Sequence, residues 1–171
     1  MPVITRTARA CALALAGLGL TITGLGATAA VAPAAHGAES SQAPSPAEMR
    51  HRRVLEAKNI AMNQRGDRYA YGAAGPAAFD CSGLIHYSYK RAGFAVPRTS
   101  GALAAHSRRI AKDRMRTGDL MFFANGGGVY HAAIFLGWSR GKALMLHSPS
   151  TGSRVHVATA WTSAWFGGTL R

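Results

Sequence analysis

From Leu120 onward the chain offers a series of short apolar runs: Leu120 to Ala124, Val129 to Leu136, Ala143 to His147 and Val155 to Ala158. Each is bounded by Gly, Ser or Pro, and the connections between them are too short to hold a crossover helix. Parallel neighbours need a crossover of a dozen residues or more, so these runs can pair only as an antiparallel meander. The helical signals all come earlier. Glu48 to Arg65 contains no Gly or Pro and repeats Val54, Leu55, Ala57, Lys58, Ala61 and Met62 at helical spacing, with Gly66-Asp67 as its end. Cys81, Leu84, Ile85, Ser88 and Ala92 fall along one helical face closed by Gly93, and a further helix is expected from Gly101 to Ile110. Helices first and strands second specify an α+β fold, with N-terminal helices packed on an antiparallel sheet.

Charge and cysteine count narrow the chemistry. The 171 residues carry 20 Lys+Arg against 7 Asp+Glu, a formal charge of +13, which excludes an acidic or charge-balanced protein. Cys11 and Cys81 are too few for a disulfide framework and form no Cys-x-x-Cys pair. His131, His147 and His156 have neither local ligand spacing nor a cysteine or carboxylate to complete a set, so no metal is expected. Arg6 and Arg9 precede an uncharged run from Ala10 to Ala32 that ends among small residues, the layout of a secretory signal peptide. We read residues 1–38 as that leader, 39–50 as a polar linker and 51–171 as one folded domain. The alternative is an uncleaved membrane anchor, because the run is long enough to span about 30 Å of hydrocarbon. Its richness in Ala, Gly and Thr favours removal. Without the leader the charge is about +11 and only Cys81 remains. Such a secreted chain suits the anionic polymers of a bacterial envelope better than nucleic acid, for which no interleaving of aromatic and basic residues is visible.

The last two long runs bring a pair of histidines together. If the hairpin is centred on Ser139, Leu136 faces Lys142 and His131 faces His147, with His131, Ala133 and Phe135 on one face and Ala132, Ile134 and Leu136 on the other. A slip of one residue would split the pair across the two faces. Cys81, in the first turn of a helix, sits where the helix dipole and a nearby imidazole favour the thiolate. Cysteine, histidine and a third polar group holding the imidazole form a general arrangement for covalent acyl transfer. In that arrangement Cys81 is the nucleophile, His131 the proton-transfer partner and His147 its orienting group, with the Cys81 N–H as an oxyanion donor.

Six blocks carry a resemblance. They are Tyr69-Ala70-Tyr71-Gly72, Asp80-Cys81-Ser82-Gly83-Leu84, Pro97-Arg98-Thr99-Ser100, Gly118-Asp119-Leu120-Met121-Phe122-Phe123, His131-Ala132-Ala133-Ile134-Phe135-Leu136-Gly137 and His147-Ser148-Pro149-Ser150-Thr151-Gly152. In this order they closely resemble the NlpC/P60 cysteine peptidases, over roughly residues 54–171. The resemblance implies a papain-like α+β fold and hydrolysis of peptidoglycan stem peptides, typically at the bond between D-γ-glutamyl and a diamino acid, without a cofactor. It matches Cys81 to the nucleophile, His131 to the base, His147 to the third polar residue and Tyr69 to a tyrosine of the oxyanion region. Asp80 and Ser82 match positions that contact the substrate stem. The chain departs from the family pattern at Gly72 to Phe79, at Gly101 to Ala105, where a glutamine is common, and at Ala133, where glycine is frequent. The expectation is therefore a monomeric, secreted, wall-associated endopeptidase held on anionic wall polymers by its charge. A peptidoglycan amidase of the same fold and a non-catalytic basic wall-binding module are the alternatives.

Overall fold

A computed structural model describes residues 43–171 of the chain. The expected leader and the first residues of the expected linker lie outside them. Ser45-Pro46-Ala47-Glu48 is a complete helix start: the Ser45 hydroxyl accepts the Glu48 N–H, the Glu48 carboxylate accepts the Ser45 N–H at 2.6 Å, and Pro46 fills the first turn. Helix α1 thus spans Pro46–Met62 and begins inside the stretch 39–50 expected as linker. That expectation treated the prolines as linker residues and overlooked the capping box. Val54, Ala57 and Ala61 form its buried stripe.

After α1 come β1 (Arg68–Tyr69) and β2 (Ala78–Phe79), a short parallel pair, then α2 (Cys81–Arg91) and α3 (Ser100–His106). The strands β3 (Arg108–Ile110), β4 (Leu120–Asn125), β5 (Gly128–Ser139), β6 (Lys142–His147), β7 (His156–Thr159) and β8 (Trp165–Thr169) form one antiparallel sheet in the order β3-β8-β4-β5-β6-β7. The meander β4 to β7 is as expected. The helix expected over Gly101 to Ile110 is corrected: it stops at His106, Ser107 turns extended, and Arg108–Ile110 pairs with β8. Strand β8 carries no strand signal in the sequence because Gly167 and Gly168 break its apolar pattern. Both glycines permit close packing, since a Cβ would lie 2.8 Å from the Met115 sulfur at Gly167 and 2.8 Å from Phe122 and Ser107 at Gly168.

The sheet is covered on both faces. Leu120, Phe122, Ala132, Ile134 and Leu146 pack under the helices with Val54, Leu84, Ile85 and Leu103. Met121, Phe123, Ala133, Phe135, Ala143 and Met145 pack on the other side with Trp165. Helix α2 is pinned to the sheet by the Tyr89 hydroxyl, which donates to the Gly118 carbonyl. Next to it the buried Asp119 accepts from Arg171 at 2.7 and 3.0 Å and from the Arg116 N–H at 2.7 Å. The Tyr89 bond holds the C-terminal half of α2, the end away from Cys81, against the approach to β4.

Candidate active site

Asp80 is the N-cap of α2, and its carboxylate accepts the Gly83 N–H at 2.6 Å. It also accepts the Gly72 N–H at 2.9 Å and a fork of hydrogen bonds from Arg98 at 2.6 and 2.9 Å. Arg98 further donates to the Ser82 hydroxyl at 3.0 Å and to the Ala73 carbonyl at 3.1 Å. The helix start and the loop after β1 are therefore tied through one guanidinium. Gly83 makes this approach possible, since a Cβ there would lie 2.0 Å from the Ala73 carbonyl oxygen. Sequence reading assigned Asp80 and Ser82 to substrate contact and gave Arg98 no role. In the structure both are bonded to Arg98, and the Pro97-Arg98-Thr99-Ser100 block was the signal for it.

Burial alone would raise the Asp80 carboxyl, but the bonds from Arg98, Gly83 and Gly72 and the Arg98 charge outweigh it and hold the group below the usual carboxylate range. Cys81 differs. Burial pushes its thiol up, the Ala132 N–H and the Ser82 N–H and hydroxyl pull it down, the Asp80 charge pushes it up again, and the net shift is upward. Burial is the largest influence, so the thiolate expected at this helix tip is disfavoured relative to a free cysteine.

The histidines reach each other by a register other than the expected one. At the turn the paired residues are Ser139 with Lys142, Trp138 with Ala143 and Gly137 with Leu144. A bulge follows between Phe135 and Gly137, beyond which Phe135 faces Met145 and Ile134 faces Leu146. One residue further this register sets Ala133 opposite His147, so His131 is its diagonal neighbour on the same face. Both rings are buried, and His131 Nε2 lies 3.1 Å from His147 Nδ1 with the ring planes 86° apart. Burial lowers His131 to about 4. Burial, then the charges of His131 and His156, lowers His147 to about 3. Both imidazoles are thus neutral near pH 7. Trp161, which sequence reading did not single out, closes over the pair, with its ring 5.3 Å from His131 and 5.8 Å from His147, stacked on Phe123 at 4.3 Å. It lies outside any periodic run, so nothing in the sequence pointed to it.

Five of the six candidate residues, Tyr69, Asp80, Cys81, Ser82 and His131, line one open cavity of about 420 Å³. His147 stands behind His131 and does not line it. Tyr69 has its hydroxyl pKa raised by burial and then by the charges of Cys81, Asp80 and Tyr71. The arrangement offers a thiol, a neutral imidazole held from behind by a second one, and a phenol, all at one solvent-open surface. It has the parts of a thiol acyl-transfer site.

The NlpC/P60 family model matches residues 66–170. A probable endopeptidase p60 of Listeria monocytogenes is 43% identical over 77 residues, 45% of this chain and 16% of that protein. A gamma-D-glutamyl-L-lysine dipeptidyl-peptidase of Bacillus subtilis is 34% identical over 94 residues, 53% of this chain and 30% of that protein. The chain therefore spans less than a third of either relative's length. Among solved structures, RipD of Mycobacterium tuberculosis, a non-catalytic NlpC/p60 domain protein adapted to peptidoglycan binding, superposes with a TM-score of 0.59 at 25% identity, covering 70% of this chain and 98% of the solved RipD chain.

Proposed function

The chain belongs to the NlpC/P60 family, and on that premise we propose that it is a secreted cysteine endopeptidase that cleaves peptidoglycan stem peptides at the D-γ-glutamyl–diamino acid bond. The observation that carries this reading is the joint placement of Cys81 and His131 on one cavity with His147 bonded behind the imidazole.

In the resting state thiol and imidazole are both neutral. For His131 to accept the thiol proton at Nδ1, its Nε2–H must donate to His147 Nδ1, and His147 then carries its own proton on Nε2. That nitrogen is buried and has no hydrogen-bond partner among the described residues, so the second ring serves as an acceptor and orienter. As the sulfur adds to the carbonyl carbon its proton passes to His131. The new oxyanion is held by the Cys81 N–H at the helix start and by the Tyr69 hydroxyl. The C–N bond breaks as His131 returns that proton to the departing amine, leaving a thioester. Water, deprotonated by His131, attacks the thioester, and the thiol is released with a carboxylic acid product. Asp80 and Arg98 act by fixing the helix start on which the nucleophile sits.

Residues 1–38 are proposed to export the chain and residues 51–171 to form its catalytic domain, with a charge of about +11 holding the monomer on anionic wall polymers. The likeness to RipD favours one alternative, a binding module without turnover. Incubation with purified peptidoglycan and mass analysis of the products separates the readings. The unaltered chain is expected to release peptides cut after D-γ-glutamyl, and Cys81→Ala none. Release by Cys81→Ala removes the thiol mechanism, no release by either leaves the binding module, and peptides severed at the sugar link make the enzyme an amidase.

A further inference from the structure

All three tryptophans of the chain, Trp138, Trp161 and Trp165, line a single open cavity of about 350 Å³ together with Lys112 and Lys142. Trp165 is buried and forms its floor, whereas Trp138 and Trp161 are 50% and 54% exposed. Contiguous aromatic surface left open to water marks a recognition site rather than a core. Lys112 is held there: its Nζ lies 4.4 Å from the Trp165 ring centroid and donates to the Ser163 carbonyl at 2.7 Å. Lys142 stands exposed at the start of β6, and neither lysine forms an ion pair among the described residues. No acidic residue lines the cavity among the described residues.

We propose that this cavity is a saccharide subsite, in which a sugar ring of the wall polymer stacks on the indole faces and its carboxylate or phosphate substituent is taken by Lys112 and Lys142. The proposal rests on the reading of the chain as a peptidoglycan hydrolase and extends it from the peptide to the glycan. A pyranose presents one flat C–H face that suits an indole, and its hydroxyls stay hydrated in an open cavity. Single-stranded nucleic acid also stacks on aromatic rings, but its binding needs a basic groove tracking several phosphates, and only two cations line this site. The location supports the same ligand. Trp161 also lines a neighbouring cavity of about 320 Å³ with Tyr130, His131 and Pro149, and those last three residues border the Cys81 cavity. A stem peptide at Cys81 and a sugar on the indoles therefore lie along one continuous strip.

Because every tryptophan lines the cavity, intrinsic fluorescence reads occupancy directly. The full chain with Cys81→Ala, which cannot consume its ligand, is titrated with four probes: a peptide-free disaccharide of N-acetylated amino sugars bearing a free carboxylate, a sugar-substituted glycerol-phosphate polymer, a neutral chitotriose and a single-stranded oligonucleotide. A saturable change is expected with the carboxylate or the phosphate probe, whichever is tighter identifying the source. Binding should weaken at least tenfold in Trp138→Ala and in Lys142→Ala, and chitotriose should bind at least tenfold more weakly than the tighter anionic probe. Affinities in both variants equal to that of the parent Cys81→Ala chain overturn the proposal, as does the absence of a saturable change with both anionic probes. So does an oligonucleotide response that those substitutions weaken while the saccharides leave the fluorescence unchanged. Hydrolysis of a sugar-free stem peptide by the unaltered chain is scored separately, so loss of the peptidase reading and loss of the saccharide subsite give different results.

Discussion

Arg98→Ala tests whether one guanidinium holds the start of α2 in place by charge. The side chain donates twice to Asp80 and once each to Ser82 and Ala73. Removing one partner of a buried ion pair costs about 3–5 kcal/mol. Here the Asp80 side chain is 10% exposed but that of Arg98 is 31% exposed, and Asp80 keeps the N–H groups of Gly72 and Gly83. Solvent screening and those remaining donors reduce the expected loss to about 2–3 kcal/mol. At about 4 °C per kcal/mol for a domain of this size, the Tm at pH 7 should fall by about 8–12 °C. The pH dependence carries the sign. Asp80 is held below its unfolded value, so its stabilisation is present above the ordinary carboxylate range and is lost as pH falls through the lower, folded value. The difference between wild type and variant should hold steady above about pH 5 and narrow below about pH 4. The buried neutral histidines also destabilise both proteins as pH drops below about 6.5, but that contribution cancels in the difference. Scanning calorimetry from pH 3 to 7 is the assay, with Arg98→Lys as a second variant that retains charge without the fork. A Tm loss in Arg98→Ala that is absent, or that does not change with pH, refutes the electrostatic account.

Three further outcomes follow from the site. Since the Cys81 thiol is raised by burial and no imidazolium accompanies it near neutrality, its alkylation by iodoacetamide should climb about tenfold per pH unit from pH 6 to 8; a rate plateau across that range would reveal a preformed thiolate–imidazolium pair instead. His147→Ala should lower kcat about 10²–10⁴-fold with little change in KM, and His147→Asn, whose side-chain oxygen still accepts from His131, should recover at least tenfold of it; equal losses in the two variants would refute the orienting role. Gly137→Val places a β-branched residue at φ 149° in the bulge and should cost about 1–3 kcal/mol, read by thermal unfolding, with peptide release falling as the histidine contact is disturbed; an unchanged Tm would show that the bulge tolerates a side chain.

The α+β order, the helix that begins at Cys81 and the four-stranded meander were legible because each rests on a repeated local signal, a spacing of three and four or a run bounded by turn residues. What was not legible lacked such a signal. Strand β8 carries two glycines that exist for close packing, β1 and β2 are two residues each, and α1 starts at prolines that in isolation signal a linker. The protonation of the site was misread for a different reason. A sequence shows a thiol at a helix start, where the dipole favours the anion, but not how much water is excluded from it, and burial is the largest influence on the Cys81 thiol.

The register of the β5–β6 hairpin shows how a wrong premise reached the right face. A turn centred on Ser139 sets paired residue numbers that add to 278, whereas the observed turn at Arg140-Gly141, with φ of 50° and 76°, sets them at 281. That is a slip of odd parity, and continued along the strands it would oppose His147 to Ile134, which faces the helices, turning the two imidazoles to opposite sides of the sheet. The bulge that leaves Leu136 unpaired, made possible by Gly137 at φ 149°, removes one residue from the count and restores even parity. Two irregularities thus cancel: the turn displaces the histidines from each other's face, and the bulge returns them two residues out of direct opposition, where rings that meet nearly edge to face can place Nε2 of one against Nδ1 of the other. The juxtaposition therefore depends on a backbone defect as much as on the identity of the two histidines.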